Sequence, residues 1–502
     1  MSADNSEPKP ALKKNDSHLR KRGVSSRKIA VEVLIKVQEK GAYTNIALAN
    51  ALDGSKWDLS ERDRAFITAL VQGVLRNKNT LDKAIGAVAS KPIDKIQPPL
   101  LNLLRIAFFQ IESMPDIPQS AVVDTAVELA RVIGHVGLSK FVNGILRTHI
   151  RNIEKGRLTA EPVDMSKLEG AELAAALADR HSMPLWLVSR WLKRFGAEET
   201  EKLLKASDVP AKLTVRVNDI AMETDGYQRL LLDKGVVAER SMLVPTCLVI
   251  TERKSLKGPI EKLPGYDDGI FSVQDEAAAF VGQVMAPQTS DVVIDLCAAP
   301  GGKTVNIGEL MNNKGRIIAI DKHEKRLNMV KENRLRLGLT NIETYTADGT
   351  TYEHPPVDKV LVDAPCSGTG VINKRSDIRL KLKEEDIAEV NVIQKALLTN
   401  AAKLVKPGGA LIYSTCSIEQ EENEDMIEWF LNEDCGEDFD RDDISCYFIN
   451  DSLSQLGLEK EAAQGYALFL PSRHDFSGFF VARLKRKQAV VEEAQDGAVS
   501  IS

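Results

Sequence analysis

Hydrophobic residues recur at three- and four-residue spacing through the first third of the chain. From Ser26 to about Ile150 this spacing predicts amphipathic helices, with few stretches that alternate as strands do. Short breaks such as Met114–Asp116 separate the segments. The clearest helical segments read IAVEVLIKVQE, RAFITALVQGVLR, LLNLLRIAFFQI and AVVDTAVELARVI. The pattern therefore predicts an all-α domain over residues 26–150.

The pattern changes after this domain. Residues 151–204 are predicted to form a linker followed by helices, and residues 205–285 a small α+β module of the ferredoxin or RNA-recognition type. The module's predicted elements are strands at Leu213–Val217, Leu248–Thr251 and Phe271–Val273 around the helix GYQRLLLDKG. A multidomain chain is expected on length alone, since domains usually span about 100 to 200 residues.

Strands and helices then alternate regularly over residues 286–486. The predicted strands include VVIDLC, RIIAID, IETYTAD, VDKVLVDAP, GALIYST and FFVARLK. Alternation of this kind predicts a parallel sheet with helices on both faces, a C-terminal α/β Rossmann-like domain. A helix is predicted near residues 419–432. The acidic segment 433–443 is expected to be an insertion loop, and residues 487–502 a loose tail.

Charge is distributed unevenly along the chain. Residues 1–160 contain 25 Lys and Arg against 16 Asp and Glu, although the whole chain has a net charge of -6. A basic first third favours a polyanionic partner such as a nucleic acid, because Lys and Arg release condensed counterions from phosphates. Part of this charge lies in residues 1–25, which are predicted to be a disordered tail, and a basic cluster there is also typical of solvated chain.

Apolar runs and cysteines exclude several classes of protein. No apolar run approaches the roughly 18 to 20 residues that span a bilayer, and the N-terminus lacks the apolar core of a secretory signal, so a cytoplasmic protein is expected. Six cysteines are spread along the chain without a C-x-x-C pair. Neither a disulfide framework nor a metal site is expected, and any cysteine chemistry should be thiol chemistry.

The first strand of the alternating region runs into CAAPGGKT and then a helix. Small residues let another molecule approach the backbone, while the start of the helix offers free N–H groups and a positive dipole end. A phosphate-binding P-loop would need Gly at Cys297, and no G-x-G-x-x-G follows the strand. We therefore predict a cofactor-binding loop, whose candidate residues are Cys297, Ala298, Ala299, Pro300, Gly301, Gly302 and Lys303.

Two aspartates follow the next strands. Asp321 ends RIIAID, where a carboxylate can accept hydrogen bonds from ribose hydroxyls. Asp348 follows the third strand and is placed to meet an adenine amino group. Either aspartate alone is as typical of a helix cap or turn. Together with the loop, the two predict a nucleotide-type cofactor.

Two cysteines follow the ends of two further strands, in LVDAPCSGTG and LIYSTCS. They are Cys366 and Cys416, and the carboxyl ends of strands in open α/β sheets are where ligands bind. A single cysteine there is usually a small buried hydrophobe. Two of them among small polar residues indicate covalent chemistry. The tetrapeptide that ends at Cys366, Asp363-Ala364-Pro365-Cys366, departs from the Asn/Asp-Pro-Pro-aromatic pattern of methyltransferases that act on amino groups.

These motifs resemble those of a known enzyme family. CAAPGGKT, DAPCSGTG and STCS, with NGILR, VRVN and FSVQDEAAA, are similar to motifs of the bacterial small-subunit ribosomal RNA cytosine-5 methyltransferases of the RsmB (Fmu/Sun) type. The resemblance covers the chain from about Ser26 to Lys485, and the all-α segment resembles the RNA-binding antitermination factor NusB. It implies a class I methyltransferase domain, S-adenosyl-L-methionine as cofactor, and RNA as partner, specifically 16S rRNA, free or in an assembling small subunit.

The resemblance also implies roles for the residues. Carbon 5 of cytosine is a poor nucleophile, so a thiolate must first add to carbon 6, and a second group must later remove the carbon 5 proton. In the family the Thr-Cys cysteine attacks and the Pro-Cys cysteine assists release, which assigns Cys416 and Cys366; without the resemblance their roles are interchangeable. The chemistry of the adduct separately predicts that Asp363 hydrogen-bonds ring nitrogen N3 and stabilises the adduct if its carboxyl group is protonated at that moment. The resemblance implies that residues 297–303, Asp321, Asp348 and Asp363 bind the cofactor.

One loop departs from the family pattern, and two other functions remain open. The family usually shows His-Pro-Asp within a basic stretch after Gly370, whereas this chain has Lys374–Arg379, so the loop is expected to contact RNA differently. Cytosine-5 methylation of transfer RNA is the first alternative. A non-catalytic NusB-like RNA-binding factor is the second, although the intact cysteine pair argues against it.

Overall fold

The chain divides into two compact units. One contains the chain up to Asp208 together with Lys374–Leu382, and the other contains Val209–Asn373 and the chain from Lys383 onward. The computed structural model describes residues 23–54, 59–134, 136–156, 165–253 and 258–488. The predicted tails therefore lie outside the described residues, apart from a few residues at their inner ends. Val24 and Ser25, predicted to belong to the tail, already form the start of the first helix.

The first unit is helical, as its three- and four-residue spacing predicts. Its main helices are α1 (Val24–Glu39), α2 (Thr44–Asp53), α3 (Glu61–Arg76), α4 (Lys78–Val88), α5 (Pro98–Ser113), α6 (Gln119–Ile133), α7 (Val136–Glu154), α8 (Gly170–Arg180) and α9 (Leu185–Asp208). A capping box of Ser60 and Asp63 starts α3. Gly196, with φ 79°, interrupts α9. The apolar faces of α1 to α7 share one core.

The segment Lys374–Leu382 is built into this helical unit. Ser376, Asp377 and Arg379 are each less than 5% exposed. The Arg379 guanidinium donates to the Asp208 carboxylate at 2.7 Å and to the backbone carbonyl of Ser207 at 2.6 Å. These three side chains therefore hold the segment inside the unit.

The second unit contains a four-stranded antiparallel sheet, which is the predicted small module. Its strands are β1 (Leu213–Val217), β2 (Val236–Arg240), β3 (Cys247–Arg253) and β4 (Phe271–Val273), in the order β2-β3-β1-β4, with helix α10 (Thr224–Asp233). The sequence missed β2, which follows Gly235 directly and has only two buried positions. Tyr227 and Leu231 of α10 pack on Val215 and Phe271 of the sheet.

The larger sheet of this unit is mixed. Its strands are β5 (Val292–Asp295), β6 (Arg316–Asp321), β7 (Ile342–Thr346), β8 (Val357–Asp363), β9 (Val405–Thr415), β10 (Phe439–Arg441), β11 (Tyr466–Phe469) and β12 (Phe479–Arg486). The parallel part has the order β9-β8-β5-β6-β7. The prediction of a wholly parallel sheet is wrong for β12, which pairs antiparallel with β9 and carries β10 and β11 on its other edge.

Helices cover both faces of this sheet, as predicted. They are α11 (Glu276–Met285), α12 (Gly302–Leu310), α13 (Glu324–Arg336), α14 (Glu384–Leu404) and α15 (Glu424–Asn432). Neighbouring residues of β5 point to opposite faces, so Val293 joins the core under α11 to α13 and Ile294 the core under α14 and α15. Helix α11, predicted to belong to the small module, thus contributes to the core of the large sheet.

Two further predictions about the second unit need correction. The acidic segment 433–443 is not simply an insertion loop, because Phe439–Arg441 forms β10 and pairs with β12. The helix predicted over residues 419–432 begins only at Glu424, after a one-turn 3-10 helix at Gln420–Glu422. The first correction places ordered backbone where the acidic composition suggested solvated chain, and the second shortens a predicted helix.

The described residues contain neither a membrane span nor a metal cluster. No helix within the described ranges is both long and apolar enough to cross a bilayer. Within the same ranges, no three His, Cys, Asp or Glu side chains are grouped as metal ligands would be.

Candidate active site

The predicted site residues lie together at the carboxyl ends of the parallel strands of the large sheet, which form one edge of that sheet. Because β5 to β9 are parallel, their carboxyl ends lie together. Asp295, Asp321 and Asp363 are the last residues of β5, β6 and β8, and Asp363 is in register with Ser414 near the end of β9. The loops that leave these strands carry the remaining predicted residues, as expected for a ligand site in an open α/β sheet.

The loop between β5 and α12 is held from beneath by a buried carboxyl group. Asp295 accepts hydrogen bonds from the Thr304 hydroxyl at 2.7 Å and from the Cys297 backbone N–H at 3.3 Å. Burial raises the pKa of Asp295 to about 7. Burial, and after it the nearby carboxylates, also raises the pKa of the Cys297 thiol. Cys297 is therefore a neutral part of the loop, unlike a reactive thiolate.

Glycine is required at the end of this loop. Gly301 has φ 107°, and a Cβ atom there would lie 3.1 Å from the backbone Cα of Val330. We expect Gly301→Ala to destabilise the second unit by about 2–3 kcal/mol, because backbone strain adds to the close contact. Gly338→Ala is the control, since φ there is also positive but nothing lies within 4 Å of the added Cβ. It should cost only about 1 kcal/mol. Urea unfolding measures both, and equal losses would contradict the role of the Val330 contact.

The two aspartates after β6 and β7 differ in their surroundings. Asp321 is buried and accepts from the backbone N–H groups of Ala299 at 3.3 Å and His323 at 2.8 Å, which ties the cofactor loop to β6. Asp348 is half-exposed, and hydrogen bonds from the hydroxyl and backbone of Thr350 lower its pKa to about 2. Both are thus placed at the same edge, one as part of the loop's support and one as an accessible carboxylate.

Lys303 of the loop reaches across to the end of β8. Its ammonium group donates to Asp363 at 2.7 Å, and the Ser414 hydroxyl donates to the other carboxylate oxygen at 2.9 Å. Burial acts to lower the pKa of Lys303, but the charge and the hydrogen bond of Asp363, together with the charges of Cys416 and Asp295, outweigh burial and raise the pKa. The sequence identified both residues, but not this ion pair, because they lie 60 positions apart.

The two predicted cysteines come together. The sulfur atoms of Cys366 and Cys416 are 3.3 Å apart, within a thiol hydrogen bond, and both residues are partly buried. The backbone N–H of Gly370 donates to the Cys416 carbonyl at 3.0 Å, which joins the two loops. The hydrogen bond with Cys416, together with burial, raises the pKa of the Cys366 thiol. Cys366 therefore stays protonated beside its neighbour.

One buried group of this site was missed by the sequence reasoning. Glu422 is fully buried and accepts hydrogen bonds from Ser367 and Ser417, the residues that follow the two cysteines. The signal in the sequence is weak, since Glu422 lies in the acidic run EQEENE, which is typical of a solvated surface.

Three family models together match most of the chain. Residues 282–485 match the family described as 16S rRNA methyltransferase RsmB/F. Residues 24–151 match the NusB family, and residues 183–257 match the ferredoxin-like domain of RsmF/B-like methyltransferases. The RsmB/F match covers the large sheet, the NusB match covers the helical segment, and the ferredoxin-like match covers a region that includes part of the small sheet.

A probable ribosomal RNA small subunit methyltransferase B of Bacillus subtilis (strain 168) is 35% identical over 476 residues, covering 92% of this chain and 99% of the relative. The chain belongs to the ribosomal RNA small subunit methyltransferase B family. A probable member from Synechocystis sp. (strain ATCC 27184 / PCC 6803 / Kazusa) is 35% identical over 467 residues, covering 92% of this chain and 100% of the relative. A crystal structure of a protein named PH0851 superposes with TM-score 0.72 at 27% identity, covering 92% and 99% of the two chains.

Membership in the small subunit methyltransferase B family confirms several predictions. The helical NusB-like domain, the small module and the C-terminal methyltransferase fold are those that the resemblance implied. The chain is a ribosomal RNA methyltransferase, and its cofactor is S-adenosylmethionine. The base that is methylated and the use of a covalent thiol depend on the geometry of the site.

Proposed function

We propose that this methyltransferase transfers a methyl group to carbon 5 of one cytosine in 16S rRNA, through a covalent bond between Cys416 and carbon 6 of the base. The helical domain and the small module position the RNA. The observation that carries the proposal is the pair of thiols 3.3 Å apart at the ends of adjacent strands. A methyltransferase that acts on an amino group needs no thiol, whereas carbon 5 requires one group to activate the base and another to release it.

Cys416 is assigned the attack on the base. Its sulfur forms a bond to carbon 6 while the double bond between carbons 5 and 6 opens, which makes carbon 5 nucleophilic. Water then takes the proton from carbon 5, the double bond re-forms and the bond from Cys416 to carbon 6 breaks. The Cys366 thiol assists this release by hydrogen-bonding the departing Cys416 thiolate. The raised pKa of Cys366 supports this division, because a protonated neighbour can hydrogen-bond a Cys416 thiolate before attack.

Asp363 and Lys303 form the polar part of the site. When the thiolate adds to carbon 6, negative charge moves to the N3 side of the ring, where a proton donor stabilises it. The ammonium group of Lys303 lies 2.7 Å from Asp363 and brings a positively charged hydrogen-bond donor to this part of the site. The pair supports the prediction that Asp363 hydrogen-bonds N3, and it supplies the donor that an isolated carboxylate would lack.

S-adenosylmethionine supplies the methyl group when bound, and the loop from Cys297 to Lys303 fits such a group. Helix α12 begins at Gly302, so its first backbone N–H groups have no partner within the helix. Asp348 offers an ionised carboxylate at the same edge, and Asp321 fixes the loop backbone at Ala299. We propose that these residues, with Asp363, hold the cofactor.

We expect Asp321→Asn to raise the dissociation constant for S-adenosylmethionine about tenfold. The amide loses the negative charge that accepts both from backbone N–H groups and from ribose hydroxyls. Asp358→Asn is a matched control, because Asp358 accepts from the Val292 backbone at the opposite edge of the same sheet. Calorimetric titration measures the dissociation constant, which should be the same for Asp358→Asn as for wild type. An Asp321→Asn enzyme that bound the cofactor as tightly as wild type would remove Asp321 from the proposed site.

Covalent trapping tests the function directly. The protein and S-adenosylmethionine are incubated with cellular RNA that contains 5-fluorocytidine, and RNA that stays attached under denaturing conditions is sequenced. Fluorine at carbon 5 cannot leave as a proton, so the adduct persists. One site in 16S rRNA supports the proposal. Attachment of transfer RNA would support the same chemistry on a different substrate. The absence of any adduct would contradict the cytosine-5 mechanism.

A further inference from the structure

A buried carboxyl group lies under the two cysteine loops. Glu422 ends the one-turn 3-10 helix Gln420–Glu422 that follows β9, and its side chain is fully buried. Burial raises the pKa of Glu422, while hydrogen bonds from Ser367 and Ser417 act to lower it. Burying such a group costs free energy unless it is hydrogen-bonded, so its partners indicate what it does.

The partners of Glu422 are the residues immediately after each cysteine. One carboxylate oxygen accepts from the Ser367 backbone N–H at 2.8 Å. The other accepts from the hydroxyl of Ser367 and from the hydroxyl of Ser417 at 2.7 Å. The two hydroxyl oxygens are also 3.1 Å from each other. A single side chain thus connects the loop of Cys366 to the loop of Cys416.

Other contacts fix Glu422 itself. The Tyr413 hydroxyl of β9 donates to the Glu422 backbone carbonyl at 2.8 Å, and the Gln394 amide of α14 donates to its carboxylate at 3.2 Å. The neighbouring Asn423 donates to the Ser417 carbonyl at 3.0 Å and accepts from the Thr415 hydroxyl at 2.6 Å. The carboxylate is therefore anchored to a strand and a helix, and the loops are anchored to it.

We infer that Glu422 is a positioning residue, which sets the distance between the thiols of Cys366 and Cys416 by binding the residue after each of them. Its effect on catalysis rests on the proposed function, because release by Cys366 needs that distance. Its effect on the spacing of the thiols does not, since that is a property of the protein alone. The two can therefore be tested apart.

The spacing is tested by oxidation with diamide in the absence of RNA and cofactor. Peptide mapping by mass spectrometry follows the disulfide between Cys366 and Cys416 in wild type, Glu422→Ala and Glu422→Gln. Both variants remove the charge, but only Gln keeps groups that can hydrogen-bond the two serines. We expect Glu422→Ala to form the disulfide about tenfold more slowly than Glu422→Gln, because the two thiols are no longer held together. Asp425→Asn, which changes a carboxylate that accepts from Gln420 in the same segment, should behave as wild type.

Catalysis gives the second readout. With unmodified RNA, Glu422→Ala should turn over about a hundredfold more slowly than wild type and accumulate denaturant-stable adduct, and Glu422→Gln should recover most of the rate. Unchanged cofactor affinity in both variants shows that the fold is intact. If Glu422→Ala and Glu422→Gln oxidise equally fast, the positioning role is wrong. If their oxidation rates differ but wild type gives no adduct with 5-fluorocytidine RNA, the positioning role stands and the proposed function falls.

Discussion

The Cys416→Ala enzyme is expected to lose methyl transfer and covalent capture of RNA together. Without the sulfur nothing adds to carbon 6, so carbon 5 stays unreactive, and we expect the rate to fall by a factor on the order of 10⁴ or more. Filter binding of methyl-labelled RNA measures the transfer, and a denaturing gel with 5-fluorocytidine RNA measures the capture.

The control for this experiment is Cys446→Ala. Cys446 is an exposed cysteine of the same unit, in the one-turn helix Ser445–Tyr447. It should retain wild-type rates and full trapping. Residual trapping in Cys416→Ala above a thousandth of the wild-type rate would assign the nucleophile to another residue.

The Cys366→Ala enzyme is expected to do the opposite and retain its RNA. Cys416 can still attack and carbon 5 can still be methylated, but removal of the carbon 5 proton loses its assisting group. Multiple turnover should fall by about 10² to 10⁴, the usual contribution of a positioned acid or base. With ordinary RNA, a slowly migrating band that survives denaturant should appear within one turnover.

The two single variants distinguish the roles. If Cys416 attacks, the band appears in Cys366→Ala and is absent from Cys416→Ala, because no adduct forms without the attacking sulfur. If the roles were exchanged, the band would appear in the Cys416→Ala single variant and be absent from Cys366→Ala. The 3.3 Å between the sulfur atoms makes this comparison necessary, since either thiol is within reach of the same base.

Much of the site could be predicted because strand ends carry it. In a parallel sheet the carboxyl ends of all strands share an edge, so Asp321, Asp363 and the two cysteines are brought together once their strands are recognised. The strands are recognisable because both faces are covered and the segments are continuously apolar. The local pattern thus determines both the element and the place of the residue that ends it.

The remainder depends on pairings that local patterns do not encode. The ion pair of Lys303 with Asp363 and the hydrogen bond from Ser367 to Glu422 join residues 60 and 55 positions apart in the chain. The antiparallel orientation of β12 was missed for a related reason, because a buried strand has the same apolar pattern in either direction. Strand β10 was missed because its acidic surroundings hid a single buried position at Phe439.

The discontinuity of the helical unit has a consequence for biosynthesis. Arg379 donates hydrogen bonds to the Asp208 carboxylate and the Ser207 carbonyl, yet the ribosome adds Arg379 only after it has translated Val209–Asn373. The helices must therefore wait, with a carboxylate and a carbonyl at the end of α9 still exposed to water, until the segment Lys374–Leu382, which lies between β8 and α14 in the chain, has been made. A fragment cut at Asp208 lacks that segment permanently, so the helical unit reaches its final form only when the chain is translated beyond Leu382.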